Sequence, residues 1–303
     1  MIKKTDVIII GAGIGGITSS IYLKRGNIKF VLLEASDIGG KLNMLREIEN
    51  YPGFTNSSGK EIIKSLKKQM DSLDIDVTYS SVQTIIKDPN GFKVITDNES
   101  YITKTVIVAC GTSPSFETIM NEKDYVGKGV SYCVICDGFF FRNKDVCVYG
   151  NNNSALEDAL YLTNIVKKLY FICPNELLSG DKELINNLKR SNNVQIIEGK
   201  LISKIIGDDF RINKILLDND EEISIDGLFP FIGDKNAQTF LNNIKPTFDG
   251  NFIKVNEYME TDIEGLYAIG DIANRPLKQL VSAASDGAIA AIQVIKYLKR
   301  IDK

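Results

Sequence analysis

Histidine is absent from all 303 residues. That excludes histidine triads, histidine metal sites and imidazole acid–base chemistry, so proton transfer must use another side chain. Cysteine is scarce, with five in the chain, too few at this length to build a disulfide framework. No apolar run approaches the ~20 residues that a membrane helix needs. The first apolar stretch is too short for a signal peptide and runs straight into glycines, so a cytoplasmic protein is expected. A surplus of positive charge is missing too. The formal net charge of −3 argues against nucleic-acid and anionic-membrane partners. The 44% hydrophobic and 25% charged residues are those of an ordinary globular protein. At this length a single core stops growing, so two domains are expected.

Asp6 to Ile10 is an apolar run suited to a central parallel strand. It leads into Gly11-Ala12-Gly13-Ile14-Gly15-Gly16, then a helical pattern through Ile17, Ile21 and Leu23. A second strand, Phe30 to Leu33, ends at Glu34, 23 residues after Gly11. Strand, G-x-G-x-x-G, helix, strand and acid together predict a dinucleotide site. The glycines admit a tight turn and a close pyrophosphate, the helix N-terminus faces the phosphates, and the acid binds ribose hydroxyls. The construction recurs at Asp145 to Tyr149, with Gly150, a helix over Ser154 to Leu162 and a strand over Lys168 to Cys173. A last strand, Gly265 to Ile269, ends in Gly270-Asp271 and precedes a helix from about Gln279 to Tyr297.

The expected fold is α/β, with two Rossmann-like dinucleotide-binding domains of the three-layer ββα type, the second inserted into the first. Residues 1–114 and 246–303 would form one, and 115–245 the other. The crossings are expected near Thr112–Glu117 and Lys245–Gly250, where Pro114, Pro246 and Gly250 break the pattern.

Cys110, Cys147 and Cys173 sit in strand-like runs and read as buried thiols. Cys133 and Cys136 form a C-x-x-C, which sets two sulfurs within bridging distance at a helix start, where the dipole favours a thiolate. Half of a zinc site is the alternative, and it would need two more ligands. With no histidine, the adjacent Asp137 is the candidate acid–base for the thiol protons, and it could also cap the helix.

Taken in order, these pieces resemble the low-molecular-weight thioredoxin reductases over essentially the whole chain. The resemblance rests on Gly11 to Gly16, Glu34, Gly39-Gly40-Lys41-Leu42, Glu49 to Phe54, Ala109-Cys110-Gly111, Ser131 to Gly138, Gly270-Asp271 and Lys278-Gln279-Leu280. It implies FAD. By position, Gly11, Gly13, Gly16 and Glu34 would hold its adenosine and pyrophosphate. Gly40, Lys41, Leu42 and Asn50 would line the flavin, and Asp271 would hold the ribityl chain. The N–H groups of Gln279 and Leu280 would face the pyrimidine ring, where negative charge gathers on reduction. Ile14, Gly15, Ala35 and Gly39 would complete the set with Val82, Ala109, Gly111, Gly270 and Lys278. Lys41 and Lys278 stand where the family usually has Gln and Arg. The resemblance further implies that Cys136 faces the flavin, that Cys133 attacks the disulfide of thioredoxin, that the smaller domain rotates, and that the protein is a homodimer.

The second nucleotide motif departs from the family. Gly150-Asn151-Asn152-Asn153-Ser154-Ala155 puts Asn152 where a second glycine belongs. The arginines that grip the 2′-phosphate of NADPH fall on Cys173-Pro174-Asn175 and Ser179. Each charge-assisted hydrogen bond so lost is worth about 1.5–3 kcal/mol. Cys173 stands where NADH would need an acid, with Glu176 offset from it. NADPH is therefore expected not to bind. The pattern resembles the ferredoxin-dependent flavin thioredoxin reductases, which implies ferredoxin as electron donor. Electrons falling from about −400 to about −270 mV release about 6 kcal/mol per pair. An acidic ferredoxin would want a basic patch, but lysines are spread along the whole chain. Competing expectations are an NADPH-dependent thioredoxin reductase with an unusual site, and a flavin–disulfide sensor that turns over no partner.

Overall fold

The computed structural model describes residues 2–45, 47–112, 119–231 and 239–301, without the side chain of Cys136. Contacts divide the chain into two compact units: Met1–Thr112 with Asn236–Lys303, and Ser113–Lys235. The expected crossing near Thr112–Glu117 lies mostly outside the described residues. The second boundary stands at 235/236 rather than 245/246. The reason is packing, because Phe240, Leu241 and Ile244 already belong to a core of the first unit, with Ile8, Ile10 and Ile253.

The first unit opens with β1 (Ile2–Ile10), α1 (Ile14–Arg25) and β2 (Phe30–Glu34). Val7 to Ile10 are all buried. Val7 and Ile9 enter one core cluster while Ile8 and Ile10 enter another. A strand with cores on both faces reads as a continuous apolar run, which this one is. It pairs in parallel with β2, Val7 opposite Phe30. Helix α2 (Gly59–Asp71) starts at a capping box between Ser58 and Glu61. Strands β3 (Val77–Tyr79), β4 (Val82–Asp88), β5 (Gly91–Thr96) and β6 (Ser100–Val108) complete the stretch. The sheet runs β3-β2-β1-β6-β5-β4, with β5 antiparallel to both β4 and β6.

The second unit contains the short helix α3 (Val134–Asp137), then β7 (Asp145–Tyr149), α4 (Asn153–Thr163), β8 (Lys168–Cys173), α5 (Lys182–Arg190) and β9 (Val194–Glu198). An antiparallel sheet follows from β10 (Ile202–Gly207), β11 (Ile212–Leu217) and β12 (Glu222–Ser224). Strand β13 (Gly227–Pro230) joins the parallel sheet, ordered β13-β7-β8-β9.

Back in the first unit, β14 (Phe248–Asp249) and β15 (Phe252–Ile253) form a hairpin, and β16 (Leu266–Ala268) adds to β6 in parallel. The last helix, α6 (Leu280–Ile301), runs past the expected Tyr297, since neither glycine nor proline stops it and Lys299 and Arg300 suit its C-terminal turn. It packs so closely on α1 that a Cβ on Gly287 would lie 2.3 Å from the Gly15 carbonyl oxygen. Parallel sheets, each fed by strand–turn–helix units, make this the expected Rossmann-like α/β fold. Among the described residues no helix is long and apolar enough to cross a membrane.

Candidate functional site

The turn between β1 and α1 and the first turn of that helix carry Gly11, Gly13, Gly15 and Gly16. Gly11 has φ +105°, and a Cβ there would meet the Ala109 carbonyl oxygen at 2.6 Å. A Cβ on Gly16 would lie 1.9 Å from the Gly11 oxygen, so these two glycines serve the close packing of turn and helix. Gly15 packs against Ala283 of α6 and the side chain of Ile269. Gly13 differs. It is the N-cap of α1, no side chain caps the helix there, and a Cβ on it would meet nothing within 4 Å among the described residues. Gly111 leaves similar open space, and Gly40 has only Gly13 near it. Glu34 closes the floor, its carboxylate accepting from Ala12 N–H at 2.7 Å and Ser36 N–H at 2.9 Å. A carboxylate has about four acceptor positions, so capacity for a ribose hydroxyl remains. An uncapped helix start lined by glycines that open onto space, with an acid at the next strand end, fits the adenosine diphosphate half of FAD.

Among the other expected cofactor residues, Ile14 and Leu42 are buried supports while Ala35 is exposed beyond β2. Gly39 anchors the loop, its N–H donating to the Ala12 carbonyl, and Ala109 N–H donates to that of Ile10, each at 2.8 Å. Val82 opens β4, two residues after Ser80, whose N–H donates to the Glu34 carbonyl at 2.8 Å. Around the expected flavin, Lys41 makes an ion pair with Asp271 at 2.7 Å and donates to the Thr112 hydroxyl at 2.8 Å. Lys278 donates to the Asp271 carbonyl at 3.0 Å. Asn50 donates to the Gln279 side chain at 3.0 Å. Gly270, at φ +67°, donates its N–H to buried Asp286, which Arg275 also pairs. One expectation changes: Gln279 N–H donates to the Ser282 hydroxyl at 3.0 Å, so the helix satisfies that group locally instead of presenting it to a flavin.

In the second unit Cys133 carries its sulfur in a disulfide, which leaves it no thiolate for zinc. Cys147 and Cys173 are free and buried, as expected. Cys110 is free but partly exposed as a residue, though burial of its thiol pushes the pKa up to about 12. The side chain of Cys136 lies outside the described residues. Helix α3 is only four residues long and gives way to a 3-10 turn over Gly138–Phe141, so its dipole is far smaller than a full helix would supply. The Cys133 N–H donates to the Ser131 hydroxyl at 3.1 Å, and that hydroxyl donates to Asp137 at 2.6 Å. Burial raises the Asp137 pKa, and the Ser131 bond opposes this in part. The carboxyl thus keeps a proton at higher pH than a free aspartate would, as an acid beside a reducible disulfide must.

The turn between β7 and α4 is closed. Asn152 is the N-cap of α4, its side-chain oxygen accepting from Ala155 N–H at 2.9 Å and its amide donating to the Phe231 carbonyl at 3.4 Å. Asn151 accepts from Ser179 N–H at 2.7 Å, and Asn153 accepts from Asp181 N–H at 2.8 Å. Asn151 and Asn153 therefore stitch the 175–181 loop onto the helix start. The loop itself is tied down, with Leu178 N–H on Glu198 at 2.8 Å and Gly199 N–H on the Asn175 carbonyl at 2.8 Å. These ties, the Lys41–Asp271 pair and a buried Glu122–Tyr132 bond at 2.6 Å escaped the sequence reading. Apart from the N-cap preference of asparagine, nothing in a single sequence signals them, because their partners are distant along the chain.

Residues 5–288 match the family model described as pyridine nucleotide-disulphide oxidoreductase. The chain is 33% identical to the thioredoxin reductase of Mycoplasmopsis pulmonis, covering 98% of this chain and 99% of that one. Among solved structures it resembles the thioredoxin reductase from Streptococcus pyogenes, at 31% identity and TM-score 0.90 over 98% of this chain and 99% of the other. It also resembles a ferredoxin-flavin thioredoxin reductase from Clostridium acetobutylicum, at 27% identity and TM-score 0.57 over 99% and 100%.

Proposed function

We propose that this chain, which belongs to the thioredoxin reductases of the pyridine nucleotide-disulphide oxidoreductase family, takes its electrons from a ferredoxin-type donor rather than from NADPH. The observation that carries the proposal is the closed start of α4, where Asn152 takes up the Ala155 N–H, one that a pyrophosphate would need. The phosphate-gripping positions Asn175 and Ser179 carry no charge.

FAD, when bound, supplies a carrier that accepts electrons singly or in pairs and delivers a pair to a disulfide. The chain's part is to hold it, through the α1 turn and Glu34 at one end and Lys41, Asn50 and Asp271 at the other. Reduction of a disulfide between Cys133 and Cys136 takes up two electrons and two protons, and Asp137 is placed to give one of the protons. The Cys133 thiolate then attacks the partner's disulfide, Cys136 resolves the mixed disulfide, and the partner leaves as a dithiol. A homodimer belongs to the same reading, and sedimentation of the FAD-loaded protein checks it.

The test is anaerobic reduction of the oxidised FAD-loaded protein. Excess NADPH or NADH should leave the absorbance of the oxidised flavin in place, and chemically reduced ferredoxin should bleach it. The family match over residues 5–288 favours a second reading, reduction by NADPH despite the altered turn. Rapid bleaching by NADPH establishes that second reading and removes the first.

A further inference from the structure

Glu122 is 2% exposed, yet its Oε2 has no hydrogen-bond partner among the described residues. Its Oε1 accepts the Tyr132 hydroxyl at 2.6 Å. Burying a carboxyl oxygen without a match is costly, and a protein that does so needs a return elsewhere. The place of the pair indicates that return. Tyr132 immediately precedes Cys133, and its ring packs against the core beside the antiparallel sheet. The segment before Glu122 is bound to β10: Met120 N–H donates to the Ser203 carbonyl at 3.1 Å, Ile205 N–H to Met120 at 3.0 Å, and the Asn121 side chain to Ile205 at 3.1 Å. On the far side Ser131 N–H donates to the Leu228 carbonyl at 3.0 Å, on β13. The residues leading into Cys133 are thus held from two sheets, and Glu122–Tyr132 is the side-chain half of that grip.

We propose that Glu122 is a positioning residue for the disulfide of Cys133, acting through the Tyr132 hydroxyl. This rests on the reading of that disulfide as the redox centre. A disulfide is unstrained only within a narrow range of Cα separation, whereas two thiols tolerate many. A gripped loop therefore stabilises the oxidised form over the reduced one. Burial also raises the Glu122 pKa against the opposing pull of the Tyr132 bond and the Ile119 backbone, so the carboxyl keeps its proton to a higher pH than an exposed glutamate would. A glutamine, neutral and with the same carbonyl acceptor, should then serve in its place.

The experiment equilibrates the FAD-loaded protein anaerobically with dithiothreitol buffers and counts alkylated thiols on the peptide carrying Cys133. Each disulfide reduced gains two electrons and two protons, and one dithiothreitol closes to its cyclic disulfide. Glu122→Ala and Tyr132→Phe should each raise the equilibrium constant for reduction about tenfold, a shift of about 30 mV for a two-electron couple. Glu122→Gln should stay within about twofold of the parent. Tyr132→Phe keeps the ring packing, so it carries the test if Glu122→Ala folds poorly. The proposal is overturned if Tyr132→Phe stays within about twofold of the parent, or if Glu122→Gln shifts as far as Glu122→Ala. If the parent disulfide titrates normally but the protein reduces no thioredoxin, the functional reading fails while the grip stands.

Discussion

Two helices in this molecule begin in the same way and end up with opposite capacities. Both α1 and α4 follow a buried parallel strand and a glycine, and both have a clear N-cap residue. At α1 that residue is Gly13, with no side-chain bond, facing open space among the described residues. At α4 it is Asn152, whose side chain satisfies the Ala155 N–H from within. An asparagine cap is worth about 1 kcal/mol of stability over alanine, though only a few tenths over glycine. The contrast teaches that a helix start can be completed by its own side chain or left for an anion, and that one residue decides which.

Exchanging those residues is the strongest way to break the comparison. Gly13→Asn gives α1 the cap of α4 and puts a side chain into the cradle. FAD affinity should fall about a hundredfold, which is about 2.7 kcal/mol, read by flavin fluorescence titration of the apoprotein. The reverse change needs more, because the closed turn also lacks cations. Asn152→Gly combined with Asn175→Arg and Ser179→Arg should raise NADPH affinity by one to two decades, about 1.5–3 kcal/mol, measured by calorimetry. If NADPH binds the parent protein as tightly as the triple variant, the asparagine closure is not what excludes it.

Smaller effects sharpen the contrast within α4. Burial pushes the Asp158 carboxyl from the ordinary 3.8 up to about 6, with Glu157 adding to it. A carboxyl whose folded pKa is raised binds its proton more tightly in the native state. Its contribution is therefore fully present below about pH 4 and is lost as pH rises through about 6. Asp158→Asn should flatten that decline by about 1 kcal/mol, after allowing for solvent screening of a partly exposed group, in urea melts at pH 4 and pH 7. Last comes Asn152→Ala, which removes the α4 cap and should cost about 1 kcal/mol in the same melts. A null result would mean that the 175–181 loop, and not the cap, holds the helix start.

Much of this was legible beforehand because it is local. The apolar run before Gly11, the glycine spacing and Glu34 mark strand, turn and helix within a few residues of each other. The final helix is legible in its start and its apolar pattern, but no residue near Tyr297 marks an end, and it continues to Ile301. Pro246 reads as a break, yet Phe240, Leu241 and Ile244 pack in a core of the first unit. Roles at the cofactor site were less legible than positions. Gly16 packs helix on turn, as the motif leads one to expect, and Gly15 packs against Ala283 and Ile269. Gln279 gives its N–H to Ser282, which no spacing rule foretells.

The sequence by itself determined the class of fold, the disulfide motif and the loss of cations from the second nucleotide turn. Each follows from residue type at short spacing. Only the tertiary structure decided that Lys41 pairs with Asp271, that Asn151 and Asn153 fasten the 175–181 loop, and that Glu122 lies buried on Tyr132. Those contacts join residues that the chain separates and the fold brings within hydrogen-bond reach. Their strength depends on burial, which no stretch of sequence carries alone.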